Sequence, residues 1–313
     1  MEWWGIVLIV LGILCLFYIV LGWTLTWIFL RGKMRDEATM IESERESNVP
    51  EEVFSYPYQE KYLVNKRGLK MFGRVFIAEK PTDKWVLMLH GFSSNGIALL
   101  KYGKLFNELG FNAVAPDFCH CGRSEGKYIT FGRYEAEDAA EWLEMMKQTY
   151  HPTEIGVFGV SMGAATAVHM TAGRTDVDFL IPYCSYESYK RIVVSKGKDF
   201  THIPFFEIFW PMVRLSTFIV ADKTDGAKLD VGKDLGRVTC PTLLMHSKKD
   251  NFTDYHNSVD MYEKNKKNGN VKLHLFEKGL HARAFATDPV EYTRVVREFI
   301  EEVENSKAKE DIA

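Results

Sequence analysis

The chain has 313 residues, 46% of them hydrophobic and 26% charged, enough to bury the core of one sizeable domain with an appendage. A net charge of −3 carries no basic excess and argues against nucleic acid as a partner, and five scattered cysteines are too few for a disulfide framework.

The chain opens on an apolar run. Gly5 to Leu30 contains no charged side chain, and at about 1.5 Å per residue it is longer than the roughly 30 Å hydrocarbon core of a bilayer. It reads as a single transmembrane helix, with Trp3 and Trp4 at one end and Trp23 and Trp27 toward the other placed for interfacial anchoring. A cleaved signal peptide fits less well: the run is too long, no basic segment precedes it, and Arg31-Gly32-Lys33-Met34-Arg35 is no cleavage site. The same basic cluster, lying after the span, places the rest of the chain in the cytoplasm by the positive-inside rule. Residues 1–35 are therefore expected to be an anchor with a basic flank, and the polar, acidic stretch 36–52 a tether.

From Gln59 the pattern becomes one of strands. EKYLVN and LKMFGRVFIAE, joined by a turn at Asn65 to Gly68, predict a peripheral antiparallel pair, and the more continuously apolar WVLMLHG predicts a buried central strand beside it. A helix from Ile97 to Leu109, closed by Gly110, leads to the buried strand FNAVAPDF, and an amphipathic helix follows over Arg133 to Tyr150. Glu154 to Gly173 reads as strand, sharp turn and small-residue helix. Strands at Val177 to Ser185 and Thr239 to Ser247, a helix around Tyr255 to Lys266, the strand VKLHLFE and a helix from near Pro289 complete the series. Strands alternating with helices imply βαβ units, hence an α/β domain over 53–304 with a mostly parallel central sheet flanked by helices, followed by a polar tail at 305–313. The interval 186–238 carries no strand signal and is too long for a structureless loop, so an inserted helical cap is expected there.

The chemistry is carried by Gly159-Val160-Ser161-Met162-Gly163. A strained strand-to-helix turn lifts the Ser161 hydroxyl clear of the sheet, and side chains at either glycine would crowd neighbouring backbone. A serine attacks carbonyls slowly unless a base takes its proton and an acid orients that base. Of nine histidines, His281 lies in the loop directly after a strand, whereas His274 sits within that strand and His256 on a predicted helix. Asp250 follows the strand TLLMHS at the same sheet edge, with Asp254 and then Glu187 as competitors. The backbone N–H groups of Phe92 and Met162 are placed to receive a developing oxyanion, and His90 is read as bonding its own loop backbone.

With these residues in hand, the chain from about Gln59 to Ile300 resembles the α/β-hydrolase superfamily and is similar to bacterial membrane-anchored serine hydrolases of the serine aminopeptidase-like and monoacylglycerol-lipase-like group. LHGF, GVSMG, HSKKDNFT and GLHA carry the resemblance, together with APDFCHCGRSEG, which resembles the family's D-x-R-G-H-G-x-S-x-G loop. There the chain departs, since Cys119 stands at the arginine position and Cys121 at the histidine position. The resemblance implies an α/β-hydrolase fold and a Ser161–His281–Asp250 triad that needs no cofactor. The Cys119-His120-Cys121 triplet lacks a second ligand cluster and is not read as a metal site.

The expected activity is hydrolysis of an acyl bond, a carboxylic ester first, through an acyl-enzyme on Ser161, with the chain tethered to the membrane near a small-molecule or lipid-like substrate. A serine peptidase or amidase is the alternative, and a non-catalytic binding protein on a hydrolase scaffold the remote one. Phe205, Phe206, Phe209 and Trp210, crowded between two prolines in the cap, are expected to wall an apolar acyl pocket over Ser161, the competing account being that they pack on the domain's own core.

Overall fold

The computed structural model describes residues 2–310 except 222, 224, 226 and 227. Its centre is one eight-stranded sheet: β1 (Gln59–Val64), β2 (Lys70–Phe76), β3 (Lys84–Leu89), β4 (Asn112–Pro116), β5 (Glu154–Val160), β6 (Phe179–Tyr183), β7 (Thr242–Ser247) and β8 (Val271–Phe276). The spatial order is β1-β2-β4-β3-β5-β6-β7-β8, with β2 antiparallel to both of its neighbours, β1 and β4, and every other pairing parallel. The chain therefore has the α/β-hydrolase fold expected above. The buried strand β3 does not lie directly beside the antiparallel pair as expected, because the chain leaves one position open after β2 and β4 fills it between β2 and β3.

The sheet divides two cores because side chains alternate across it. Along β3, Trp85, Leu87 and Leu89 point into one cluster and Val86 and Met88 into the other. The first core is covered by α4 (Arg133–Tyr150), α5 (Met162–Thr171), α8 (Val231–Leu235) and α9 (His256–Asn265), with the whole of Trp142 buried in it. The second is covered by α3 (Leu100–Glu108), the short α10 (Ala284–Thr287) and α11 (Pro289–Glu310), where Tyr102, Tyr292 and Phe299 pack. α11 carries the chain through most of the expected polar tail, and residues 311–313 lie outside the described ones.

The helical cap is built from α6 (Tyr189–Thr201), a single turn at Phe206–Phe209 and α7 (Trp210–Val220). The N-terminal helix α1 (Trp3–Arg31) is the one helix among the described residues long and apolar enough to cross a membrane unaided. Its first part stands free: from Ile6 to Val20 its side chains are exposed, with only Tyr18 half-buried. Its last third is docked on the cap. Tyr18 donates to the Ile208 carbonyl, the Thr26 and Ser216 hydroxyls hydrogen-bond, and Arg31 donates to the Val220 carbonyl, so α1 and α7 run parallel. A Cβ on Gly22 would meet Met212 Cγ at 2.4 Å, which explains a glycine at the closest approach.

The acidic stretch after α1 forms α2 (Glu37–Arg45), capped by the Asp36 side chain on Thr39 N–H. It lies against the domain: Met40 and Glu44 are buried, Glu44 pairs with Lys101, and Glu37 pairs with the fully buried Arg74.

Candidate active site

The sharp turn at the end of β5 puts Ser161 at φ +56° and ψ −115°, a conformation that side chains rarely adopt and that tight packing here imposes. A Cβ on Gly159 would stand 2.3 Å from the Gly163 carbonyl oxygen, and one on Gly163 would stand 2.1 Å from that of Leu89. Only glycine fits both positions. The Ser161 N–H donates to the Tyr183 carbonyl at 2.8 Å, which ties the turn to β6.

Three chain segments converge on that serine. His281 Nε2 lies 2.9 Å from Ser161 Oγ, and His281 Nδ1 lies 2.7 Å from Asp250 Oδ2. The other carboxylate oxygen of Asp250 accepts the backbone N–H groups of Phe252 and Thr253, each at 2.8 Å. Burial alone would push the Asp250 carboxyl upward, but hydrogen bonds from His246 and His281 overcome it and hold the group well below the usual carboxylate range. Asp250 is thus an anion that fixes the ring of His281, with Nε2 left to face the hydroxyl. The competitors lie elsewhere: Asp254 pairs with His256 at the surface, Glu187 with Arg191 and Lys264, and His274 faces Glu291.

His246 is the residue that the sequence analysis missed. It sits on β7, fully buried, with Nε2 at 2.9 Å from the Thr253 carbonyl and 3.1 Å from Asp250 Oδ2. Since both partners are acceptors, Nε2 carries the proton, and Nδ1 faces the Ser258 hydroxyl at 2.7 Å. The available signal was a histidine four positions before Asp250 in an otherwise apolar strand.

Met162 follows Ser161 directly, and Phe92 shares the walls of two cavities with Ser161. Met162 begins α5, where helix dipole and free N–H groups favour negative charge, and a Cβ on Gly91 would come within 3.4 Å of Ser161 Cβ. No protein acceptor meets the Phe92 or Met162 N–H among the described residues. His90 Nε2 accepts the Phe118 N–H at 2.9 Å and Nδ1 donates to the Gly91 carbonyl at 2.8 Å, while burial pushes its pKa down, so a neutral ring braces this loop. The departing loop is braced as well: Asp117 accepts from Arg74, Gly96 N–H and Arg123 N–H. Cys119 and Cys121 are buried, and burial pushes the Cys119 thiol up to about 12 and that of Cys121 well up, which leaves both as neutral packing groups. Cys184 Sγ, the Asp250 carboxylate and a ring nitrogen of His281 fall within 4.8 Å of one another. Burial keeps that thiol protonated and His281 Nδ1 is engaged by Asp250, so the group is read as a hydrogen-bonded cluster and not as a metal site.

Two cavities share Ser161. One of about 390 Å³ has charged and polar side chains set into a partly apolar wall, among them Arg35, Ser43, Glu44, Lys101, His281 and Arg283. The other is a recess of about 30 Å³ walled by apolar residues including Phe29, Phe92, Phe131, Met162, Ile192 and Phe252. The four cap aromatics expected to wall an acyl pocket line neither cavity, and that expectation is corrected. Phe206 and Phe209 are buried against Leu25 and Tyr18 of α1, Tyr18 stacking on Phe209 at 5.3 Å. Trp210 meets Tyr189 edge-on at 5.9 Å, and Phe205 is 61% exposed. The apolar surface of Phe206 and Phe209 serves the seat of α1, a contact invisible while α1 is read as lying in the bilayer alone, and Trp210 packs on the domain's own core.

Comparison with known proteins agrees with this architecture. Residues 80–202 match a family model described as serine aminopeptidase, S33. A Bacillus subtilis (strain 168) protein described as the uncharacterized protein YqkD is 27% identical over 309 residues, covering 96% of this chain and 98% of its own. Among solved structures, the Pyrococcus furiosus esterase Pf2001 superposes with a TM-score of 0.66 at 23% identity, over 82% of this chain and 94% of its own. Est1E of Butyrivibrio proteoclasticus, solved with bound ferulic acid, gives a TM-score of 0.62 at 19% identity, over 78% of this chain and 99% of its own.

Proposed function

We propose that this chain, which has the α/β-hydrolase fold, is a membrane-tethered serine hydrolase that cleaves a carboxylic ester through an acyl-enzyme on Ser161. The observation that carries this reading is the relay on the strained turn, Ser161 Oγ to His281 Nε2 at 2.9 Å and His281 Nδ1 to Asp250 Oδ2 at 2.7 Å. In the first half-reaction Ser161 Oγ bonds to the carbonyl carbon while its proton passes to His281 Nε2. Asp250 stabilises the resulting imidazolium, and the Phe92 and Met162 N–H groups receive the oxyanion. The tetrahedral adduct collapses with cleavage of the bond to the alcohol oxygen, which takes the proton from His281. A water then repeats the sequence on the acyl-serine, releasing the acid and restoring the hydroxyl.

The description of the model matched by residues 80–202 supports a second reading, hydrolysis of an aminoacyl amide by the same groups. Turnover of p-nitrophenyl esters and aminoacyl-anilides by the full chain, measured side by side, separates the two. A fluorophosphonate probe is expected to label the wild-type protein and not Ser161→Ala of unchanged melting temperature; equal labelling of both overturns the assignment. In the same reading α1 crosses the bilayer with Lys33 and Arg35 on the cytoplasmic side. Protease added to intact cells then leaves the catalytic domain uncut, and its digestion with a cytoplasmic marker preserved reverses the orientation.

A further inference from the structure

We infer that the site selects esters bearing an oxyanion, bound between Arg35 and Arg283 in the larger cavity at Ser161; the inference rests on the hydrolase reading above. Three cations line that cavity, Arg35, Lys101 and Arg283, against one carboxylate, Glu44. Glu44 is already paired with Lys101. Among the described residues Arg35 hydrogen-bonds neutral oxygens only, donating from Nε to the Ser93 carbonyl at 2.8 Å and from a terminal nitrogen to the Ser43 hydroxyl at 3.2 Å. For Arg283 no ion pair or side-chain hydrogen bond is found among the described residues.

The two guanidinium groups stand near enough to oppose each other. Burial depresses the Arg35 pKa, Glu44 works against that, and the Arg283 charge adds to it. Like charges in a partly desolvated cavity cost stability unless an anion joins them, and a guanidinium offers paired donors that match a carboxylate or phosphate. A neutral ester bound there leaves both charges uncompensated. Their positions connect them to the chemistry: Arg283 lies two residues after His281, and Arg35 lies in the link between α1 and α2, where its bond to Ser93 O touches the loop that bears Phe92. The apolar recess on the other side of Ser161 takes the uncharged portion of the substrate.

The test uses the full chain in detergent and two pairs of substrates, each comparing an anion with its neutral counterpart. Mono-p-nitrophenyl succinate against p-nitrophenyl butyrate places the anion on the acyl side. 4-Acetoxybenzoate against its methyl ester places it on the leaving-group side. The anionic member of at least one pair is expected to have the higher kcat/KM relative to spontaneous hydrolysis, the preference weakening as salt is raised. Arg283→Gln is expected to reduce the anionic-to-neutral ratio at least tenfold, chiefly through KM, with Arg283→Lys recovering part of it. Arg35→Gln, checked for folding by its melting temperature, is expected to act in the same direction. Ratios in both pairs that do not differ between the wild type and Arg283→Gln, with fluorophosphonate labelling intact, overturn this inference alone. Loss of labelling by the wild type overturns the hydrolase reading and this inference with it.

Discussion

His246 Nε2 lies 3.1 Å from Asp250 Oδ2, the same oxygen that meets His281 Nδ1 at 2.7 Å. The first ring is fully buried and fixed by Ser258 and the Thr253 carbonyl, so it acts as a rigid prop on the carboxylate and touches no substrate. His246→Phe removes a donor from the oxygen that orients His281 and leaves Asp250 held on its other oxygen by the Phe252 and Thr253 N–H groups. The expected loss in kcat is about ten- to a hundredfold, the range of one charge-assisted hydrogen bond. His246→Gln, which keeps a donor, is expected to lose less, and the acid limb of the pH–rate profile is expected to move in the Phe variant. A Phe variant with an unchanged pH profile reduces His246 to core packing.

A second expectation concerns acid stability. The Asp250 pKa is lowered in the folded protein, so in the ordinary carboxylate range the unfolded chain binds the proton more readily than the native one. The carboxylate therefore contributes stability at pH values above that range, and the contribution is lost as pH falls through and beneath it. The melting temperature of Asp250→Asn is expected to lie furthest below that of the wild type near neutrality, with the gap closing below about pH 4. A gap that widens on acidification contradicts the assignment.

Gly163 supplies a test of the turn itself. Alanine there drives a methyl into the Leu89 carbonyl oxygen at 2.1 Å, backbone against backbone, with no flexible group to yield. Gly163→Ala is expected to cost on the order of 3 kcal/mol in denaturant titration and to abolish fluorophosphonate labelling. Gly269→Ala, where nothing lies within 4 Å of the added Cβ, serves as control, although φ +77° gives it a small strain of its own.

Acyl chain length gives a fourth. The apolar recess at Ser161 has a volume of about 30 Å³, and Arg35, Lys101 and Arg283 set charges into the wall of the larger cavity. Among neutral p-nitrophenyl esters kcat/KM is thus expected to peak at short chains and to fall with added methylenes. Phe209→Ala is expected to leave the shape of that profile intact, since Phe209 faces α1. A profile that climbs steadily to medium chains restores the acyl-pocket role of the cap aromatics.

The sheet order and its flanking helices follow from signals that are local and periodic. Residues Arg133–Tyr150 form a helix because apolar side chains recur on one face, and the observed bounds of α4 are those expected from that pattern. Ser161, His281 and Asp250 could be found because each sits at the end of a strand, where chain order alone predicts a common sheet edge. What escaped was non-local. An all-apolar helix gives no periodic hint of which face meets protein, and the contact face of α1 is marked only by Gly22 and Thr26 among larger residues. His246 was hidden for a similar reason, as one polar residue inside a strand whose neighbours are core. Arg35 and Arg283 lie far apart in the chain, and no sequence rule joins them until α2 folds against the loop that follows β3.

In the reading proposed above, the seat of α1 on α7 makes a strut of the membrane anchor and not a leash. A domain on a loose linker would wander through a hemisphere above the membrane; here residues 32–36 are gripped at both ends, with the Gly32 carbonyl 3.0 Å from His120 Nε2 and Arg35 held by Ser93. In the membrane-tethered reading proposed above, the height and tilt of the cleft follow from where the apolar band from Ile6 to Val20 ends. A fragment cut after α2 forfeits this and also the floor of its own site, since Phe29 and Arg35 leave with the anchor.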